Sequence, residues 1–173
     1  MADLYISWSE YHRKIEQLAI QIHQSGWESD YIICLAKGGL RVGDILCRIF
    51  DQPLAILSSS SYTSFSSENN HPSRSKIKFS QHLSLIEPNL TGKILLTDDL
   101  VDSGISLQES IKWLQNRYGQ EITEIKTAVI WYKGCSVTKP DYYVDYLPDN
   151  PWIHQPFERY ETITAEQLSF SLE

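Results

Sequence analysis

Cysteine is scarce in this chain. Its three copies, Cys34, Cys47 and Cys135, are odd in number and show no metal-type spacing. That leaves neither a disulfide framework nor a cysteine-based zinc site, and the three read as reduced, mostly buried thiols. Basic charge is also short: 15 Lys and Arg stand against 22 Asp and Glu, a net charge of −7. Broad nucleic-acid binding needs a basic face, so the charge argues against it. An anionic ligand must instead be drawn in by local devices such as a divalent cation, helix N-termini and a few lysines. No apolar run approaches the roughly 20 residues of a membrane span. The opening Met-Ala-Asp-Leu-Tyr lacks the basic and apolar regions of a signal peptide, so a cytoplasmic location is expected.

The 173 residues suffice for one domain with a real core, and residues 1–173 read as a single unit without internal repeats. Trp8, Tyr11, Ile15, Leu18, Ala19 and Ile22 recur at helical spacing, with Ser7 or Ser9 as cap and Gly26 as stop. Short apolar runs at 31–35, 54–57, 93–97, 125–132 and 142–146 predict buried strands. Helical periodicity follows at 40–50 and again through Ile105, Ile111, Leu114 and Tyr118. This alternation predicts an α/β fold, a mostly parallel central sheet flanked by helices. Ligands then belong beyond the carboxyl ends of the strands. The Ser-rich stretch 58–78 reads as a long polar loop, either a mobile lid or a flexible insertion. The tail from Thr162 to Glu173 reads as a short helix or a frayed end.

The most informative residues are 94–106, Ile-Leu-Leu-Thr-Asp-Asp-Leu-Val-Asp-Ser-Gly-Ile-Ser. An apolar run delivers Asp98 and Asp99 to a strand end. Asp102 follows one short turn later, and Ser103, Gly104, Ile105 and Ser106 open an amphipathic helix with Asp102 or Ser103 as N-cap. A strand-end carboxylate pair can hold the hydroxyls and Mg²⁺ of a charged sugar. A small hydroxyl-rich loop at a helix N-terminus can hold a phosphate.

This stretch closely resembles the phosphoribosyl-pyrophosphate (PRPP) signature of the type I phosphoribosyltransferases. It is most similar to their xanthine-guanine/hypoxanthine branch, which has Asp-Asp-Leu-Val-Asp followed by Thr or Ser, then Gly. The resemblance extends in order along nearly the whole chain. Lys37-Gly38-Gly39 resembles the family's basic-Gly-Gly pyrophosphate loop, which implies a cis peptide between Ala36 and Lys37. Ser61-Tyr62 is similar to the start of the mobile loop, and Arg74 is implied as a basic residue reaching pyrophosphate. Lys133, after the strand Ala-Val-Ile-Trp-Tyr, is implied as the donor to a purine O6. The segment 145–160 resembles the branch's hood: Trp152 would stack on the base and the backbone of Ile153 would read its edge. Glu158 would help hold a second Mg²⁺. His154 departs from the family, standing where an acid is common. Taken from the bare letters, Lys37 and Lys133 are equally solvated strand-end lysines, and Trp152 equally a structural anchor.

The resemblance implies a Mg²⁺-dependent purine phosphoribosyltransferase that joins a 6-oxopurine (hypoxanthine, guanine or xanthine) to PRPP. Asp98 and Asp99 would hold ribose and metal, residues 102–106 the 5′-phosphate, and Asp102 would serve as general base. Homodimers or homotetramers are implied as well. A non-catalytic PRPP- or nucleotide-binding regulator on the same fold is the alternative.

Overall fold

The structure is a computed structural model that describes residues 3–62, 76–86 and 89–169. Strands β1 (Leu4–Tyr5), β2 (Tyr31–Ala36), β3 (Leu54–Tyr62), β4 (Lys76–Phe79), β5 (Gly92–Thr97), β6 (Leu100–Val101), β7 (Ile122–Lys133), β8 (Tyr142–Leu147) and β9 (Ile153–His154) alternate with helices. The helices are α1 (Trp8–Gln24), α2 (Gly39–Phe50), α3 (Ile105–Tyr118) and α4 (Ala165–Ser169), and a 3₁₀ turn spans Glu158–Glu161. The main sheet runs β4-β3-β2-β5-β7-β6, with β8 also paired to β7. All its pairings are parallel except the antiparallel β3–β4 arm.

Period-2 alternation divides the core between two faces. Ile32, Leu95, Ala128 and Ile130 pack with Tyr11, Ile15, Leu18 and Ile22 of α1 and Val42 and Leu46 of α2. Their neighbours Ile33, Leu35, Ile94, Leu96 and Val129 pack instead with Leu107 and Leu114 of α3. Helix α1 starts where the periodicity predicts, because Ser7 forms a capping box. Its Oγ accepts from the Glu10 N–H at 3.2 Å, and the Glu10 carboxylate accepts from the Ser7 N–H at 3.0 Å.

Three expectations need correction. Residues 58–62 and 76–78 are strand, not loop: β3 leaves β2 after Ser58 and pairs with β4 from Ser59↔Phe79 to Tyr62↔Lys76. A serine run has no apolar alternation to announce a strand, but an edge partner satisfies its backbone equally well. The N-cap position of helix α3 is Gly104 at φ +79°, not Asp102 or Ser103, although the Ser103 Oγ accepts from the Ile105 N–H at 3.4 Å. Cys135 is exposed, whereas Cys34 is buried, and burial pushes the Cys34 thiol up to about 11. Strands β1, β6 and β9 are too short for periodicity to reveal. The parallel pair β1–β9, Leu4↔Ile153 and Tyr5↔His154, fastens the N-terminal segment to the hood.

Candidate active site

Parallel pairing carries the carboxyl ends of β2, β5 and β7 to one edge, with Cys34 opposite Thr97 and Thr97 opposite Ala128. At that edge β5 stops, kinks through Asp98 and Asp99, and resumes as β6 along the same neighbour. The Asp99 carbonyl accepts from both the Ile130 and Trp131 N–H groups at 3.1 Å. This break leaves Asp98 and Asp99 between two strand segments that stay in step along β7.

The loop after β2 lies directly against them, and the Ala36–Lys37 peptide in it is cis. A Cβ on Gly38 would fall on the Asp99 carboxylate, and one on Gly39 would lie 2.5 Å from the Thr97 carbonyl oxygen. Close approach, not turn geometry, is therefore what requires these two glycines. Asp99 is buried. Burial first, and then the adjacent Asp99 carboxylate, push the Asp98 carboxyl well above its usual range, although backbone N–H groups of Asp99 and Gly39 pull the other way.

Beyond β6, residues 102–104 form a tight turn braced by the loop after β7. The Val137 N–H donates to the Ser103 carbonyl at 2.9 Å. A Cβ at Gly104 would collide with the Ser136 hydroxyl, so both its φ and its surroundings demand glycine. The Ile105 N–H of α3 donates to the Ser103 Oγ at 3.4 Å, and the N–H groups of Ser106 and Leu107 behind it stay available to an anion. A recess of about 100 Å³ lies here, lined by Asp98, Asp102, Ser103, Gly104 and Ser106 among others.

A second cleft of about 190 Å³ adjoins it, lined by Leu100, Asp102, Lys133, Trp152, Gln155 and Glu158 among others. Lys133, at the end of β7, is buried, with its ammonium 3.5 Å from the Asp102 carboxylate and 5.9 Å from the centre of the Trp152 ring. The Cys135 thiol lies 3.5 Å from the other Asp102 oxygen. The exposed Trp152 ring is held from behind: its Nε1–H donates to Glu158 at 3.0 Å. The second Glu158 oxygen lies 3.0 Å from His154 Nδ1, and His154 Nε2 lies 3.1 Å from Asp3. Tyr5 stacks on the imidazole at 4.3 Å. Asp3 first, and then Glu158, hold the His154 pKa above its ordinary value.

Sequence reasoning names most of these residues, and the fold brings Lys37, Gly38, Gly39, Asp98, Asp99 and 102–106 to one edge with Lys133, Trp152 and Ile153 beside them. Ser61 and Tyr62 end β3. Arg74 lies outside the described residues. Sequence reasoning passes over Gln155, whose Nε2 donates to Asp99 at 2.5 Å. It also passes over Asp3, Tyr5 and Cys135. None of these carries a spacing signal, since each reaches the site through tertiary packing.

Among the described residues no three or more His, Cys, Asp or Glu gather as a metal cluster. The two strand-tip carboxylates nevertheless fit Mg²⁺, which takes one or two carboxylates and draws its other ligands from water and substrate oxygens. Their mutual repulsion is the charge a divalent cation neutralises.

An open, mostly parallel sheet with an acidic strand tip and a helix N-terminus at one edge makes this an α/β protein. A family model described as the phosphoribosyl transferase domain matches residues 7–162, and the chain belongs to that family. A comparison with curated proteins returns no match. Among solved structures, the chain is similar to a purine phosphoribosyltransferase from Pyrococcus horikoshii. That pair is 26% identical with a TM-score of 0.75, covering 95% of this chain and 99% of the other. It also resembles the Helicobacter pylori xanthine-guanine-hypoxanthine phosphoribosyltransferase in fold, at 20% identity and TM-score 0.73, with 99% and 100% covered. A hypoxanthine-guanine phosphoribosyltransferase from Bacillus anthracis aligns at 22% identity and TM-score 0.63, with 86% and 84% covered.

Proposed function

We propose that this chain is a Mg²⁺-dependent purine phosphoribosyltransferase. It transfers the 5-phosphoribosyl group of PRPP to a 6-oxopurine (hypoxanthine, guanine or xanthine), giving the nucleoside 5′-monophosphate and pyrophosphate. The reading also takes in a cytoplasmic homodimer or homotetramer. The observation that carries it is Asp102, which lines both the anion recess beneath α3 and the Lys133–Trp152 cleft. A sugar phosphate in one and a flat base in the other would meet at its carboxylate.

In this reading the N–H groups opening α3, with Ser103 and Ser106, take the 5′-phosphate, and Asp98 and Asp99 take the ribose. Fixing the sugar in this way can remove about 7–11 kcal/mol from a barrier in favourable cases. Purine N9 attacks C1′ as the bond from C1′ to the pyrophosphate oxygen breaks, with oxocarbenium character between. Asp102 accepts the proton from N7, a contribution of roughly 10²–10⁴-fold. The buried Lys133 ammonium donates to O6, and the Trp152 face stacks on the ring. Lys37 and the backbone of Gly38 and Gly39 face the departing pyrophosphate. Mg²⁺, when bound by Asp98 and Asp99, supplies charge neutralisation for the sugar pyrophosphate. Both Glu158 oxygens are engaged by Trp152 and His154, so a second Mg²⁺ there would compete with those bonds.

The test is a panel of hypoxanthine, guanine and xanthine with PRPP and Mg²⁺, read as monophosphate and pyrophosphate formed. Release of both products supports the enzyme. PRPP binding without pyrophosphate release sinks it in favour of the non-catalytic regulator.

A further inference from the structure

His154 departs from the family resemblance, standing where an acid is common, and two carboxylates converge on its ring. Glu158 Oε2 lies 3.0 Å from Nδ1, and Asp3 Oδ2 lies 3.1 Å from Nε2. Carboxylates only accept, so both ring nitrogens carry hydrogen and donate. An acid at this position would meet two like charges, whereas the imidazole joins them. Strand pairing sets the arrangement. Tyr5 stands opposite His154 in the β1–β9 register, and the Leu4 and Ile6 N–H groups donate to the Trp152 and His154 carbonyls at 2.8 and 3.0 Å. Asp3 and Tyr5, two residues apart, share one side of the extended chain. One bonds the edge of the imidazole, and the other covers its face with ring centres 4.3 Å apart.

The far end of these bonds is the Trp152 ring. Its Nε1–H donates to Glu158 Oε1 at 3.0 Å, and the residue is 58% exposed, so packing restrains the indole weakly and this bond holds its rotamer. A carboxylate shared by an indole and an imidazole keeps one orientation while both donors hold it. We infer that Asp3 and His154 are positioning residues for purine binding: β1 fixes the imidazole, the imidazole fixes Glu158, and Glu158 fixes the plane on which the base stacks. This inference rests on the phosphoribosyl reading above. It adds that purine affinity is set in part from the N-terminal strand, through preorganisation of the platform. Asp3 itself lines neither the cleft nor the anion recess, so its effect on the base travels through the Trp152 ring.

The experiment is steady-state kinetics with PRPP, Mg²⁺ and the best-used of the three bases, on the full chain, Asp3→Ala, Trp152→Phe and the two combined. Asp3→Ala should raise purine KM roughly twofold to fourfold, within the range of one hydrogen bond, and leave PRPP KM and kcat unchanged. Asp3→Asn keeps an acceptor for the imidazole and should restore the wild-type value. Trp152→Phe removes the N–H that Glu158 holds, so Asp3→Ala in that background should add no further penalty. Should Asp3→Ala not fold, His154→Phe takes its place, keeping the stack on Tyr5 and removing both N–H groups. Unchanged purine KM, equal rises in both KM values, or an undiminished penalty in the Trp152→Phe background overturns the inference and leaves β1 as a fastening of the fold alone. In each of those cases a wild type that turns over still supports the phosphoribosyl reading. A wild type that uses none of the three bases overturns that reading and this inference together.

Discussion

The Lys133 ammonium lies 3.5 Å from the Asp102 carboxylate, yet the lysine side chain is 6% exposed and the aspartate 59%. A nearly buried cation thus has an anchor that stays open to the cleft. The asymmetry leaves Asp102 accessible to a ligand, and an asparagine in its place keeps an oxygen that can accept from the Lys133 ammonium.

Asp102→Asn should therefore separate chemistry from folding. Turnover falls by roughly 10²–10⁴-fold as the proton acceptor is lost, while the melting temperature stays close to that of the wild type. Pyrophosphate release and a thermal melt on the same preparation check both halves. Near-normal turnover removes Asp102 as the base.

Asp98→Asn should do the opposite to stability. The folded-state carboxyl titrates well above its unfolded value, so its cost is absent below the unfolded value and complete above the folded one. At neutral pH the amide relieves that cost, and the melting temperature rises by a few degrees, about 2–4 °C for each kcal/mol in a chain of this size. At acidic pH the gain disappears. Turnover should be lost, and Mg²⁺ with PRPP should raise the melting temperature of the wild type but not of the variant.

Gly38→Ala places a methyl group on the Asp99 carboxylate. Overpacking of this kind costs about 1–3 kcal/mol, and here the group displaced is the Asp99 carboxylate, proposed above to hold the ribose. A lower melting temperature together with a loss of PRPP binding is expected. Unchanged PRPP affinity by calorimetry would contradict the close packing of loop and strand tip.

His154 clasps Asp3 and Glu158, which raise its folded-state pKa. The stabilisation is fully present below the unfolded value of about 6.5 and fades as pH climbs through the raised folded value. The melting-temperature gap between wild type and His154→Gln should be widest in mild acid and narrow toward alkaline pH. A gap independent of pH would show that the clasp does not depend on imidazolium charge.

Trp152→Ala removes the exposed ring over which Lys133 sits. Aromatic pairs contribute about 0.5–1.5 kcal/mol, so purine KM rises up to roughly tenfold while PRPP KM holds. Trp152→Phe recovers most of the loss. An equal rise in both KM values would place the ring outside the base site.

Much of this molecule is written locally. The apolar runs of β2, β5 and β7 and the heptad-like faces of α1 and α2 are period signals, and Ser7 with Glu10 closes its box within four residues. The Asp98-Asp99 pair, the Ser-Gly turn and the Gly38-Gly39 step lie at strand ends for the same reason, since their position follows from where the apolar runs stop. The serine ladder of β3, the Gly104 cap and the two-residue strands were illegible, because each is fixed by a partner distant in sequence.

The chain's own order of residues thus determined the α/β alternation and the acidic, glycine-bearing strand tips, for these rest on periodicity and local backbone chemistry. Tertiary packing alone decided that Gln155 reaches Asp99, that Lys133 is buried against Asp102, and that Asp3 holds the hood through His154. Those contacts join residues 31 to 151 positions apart. Only the folded sheet, by bringing parallel strand ends to a single edge, sets such distances.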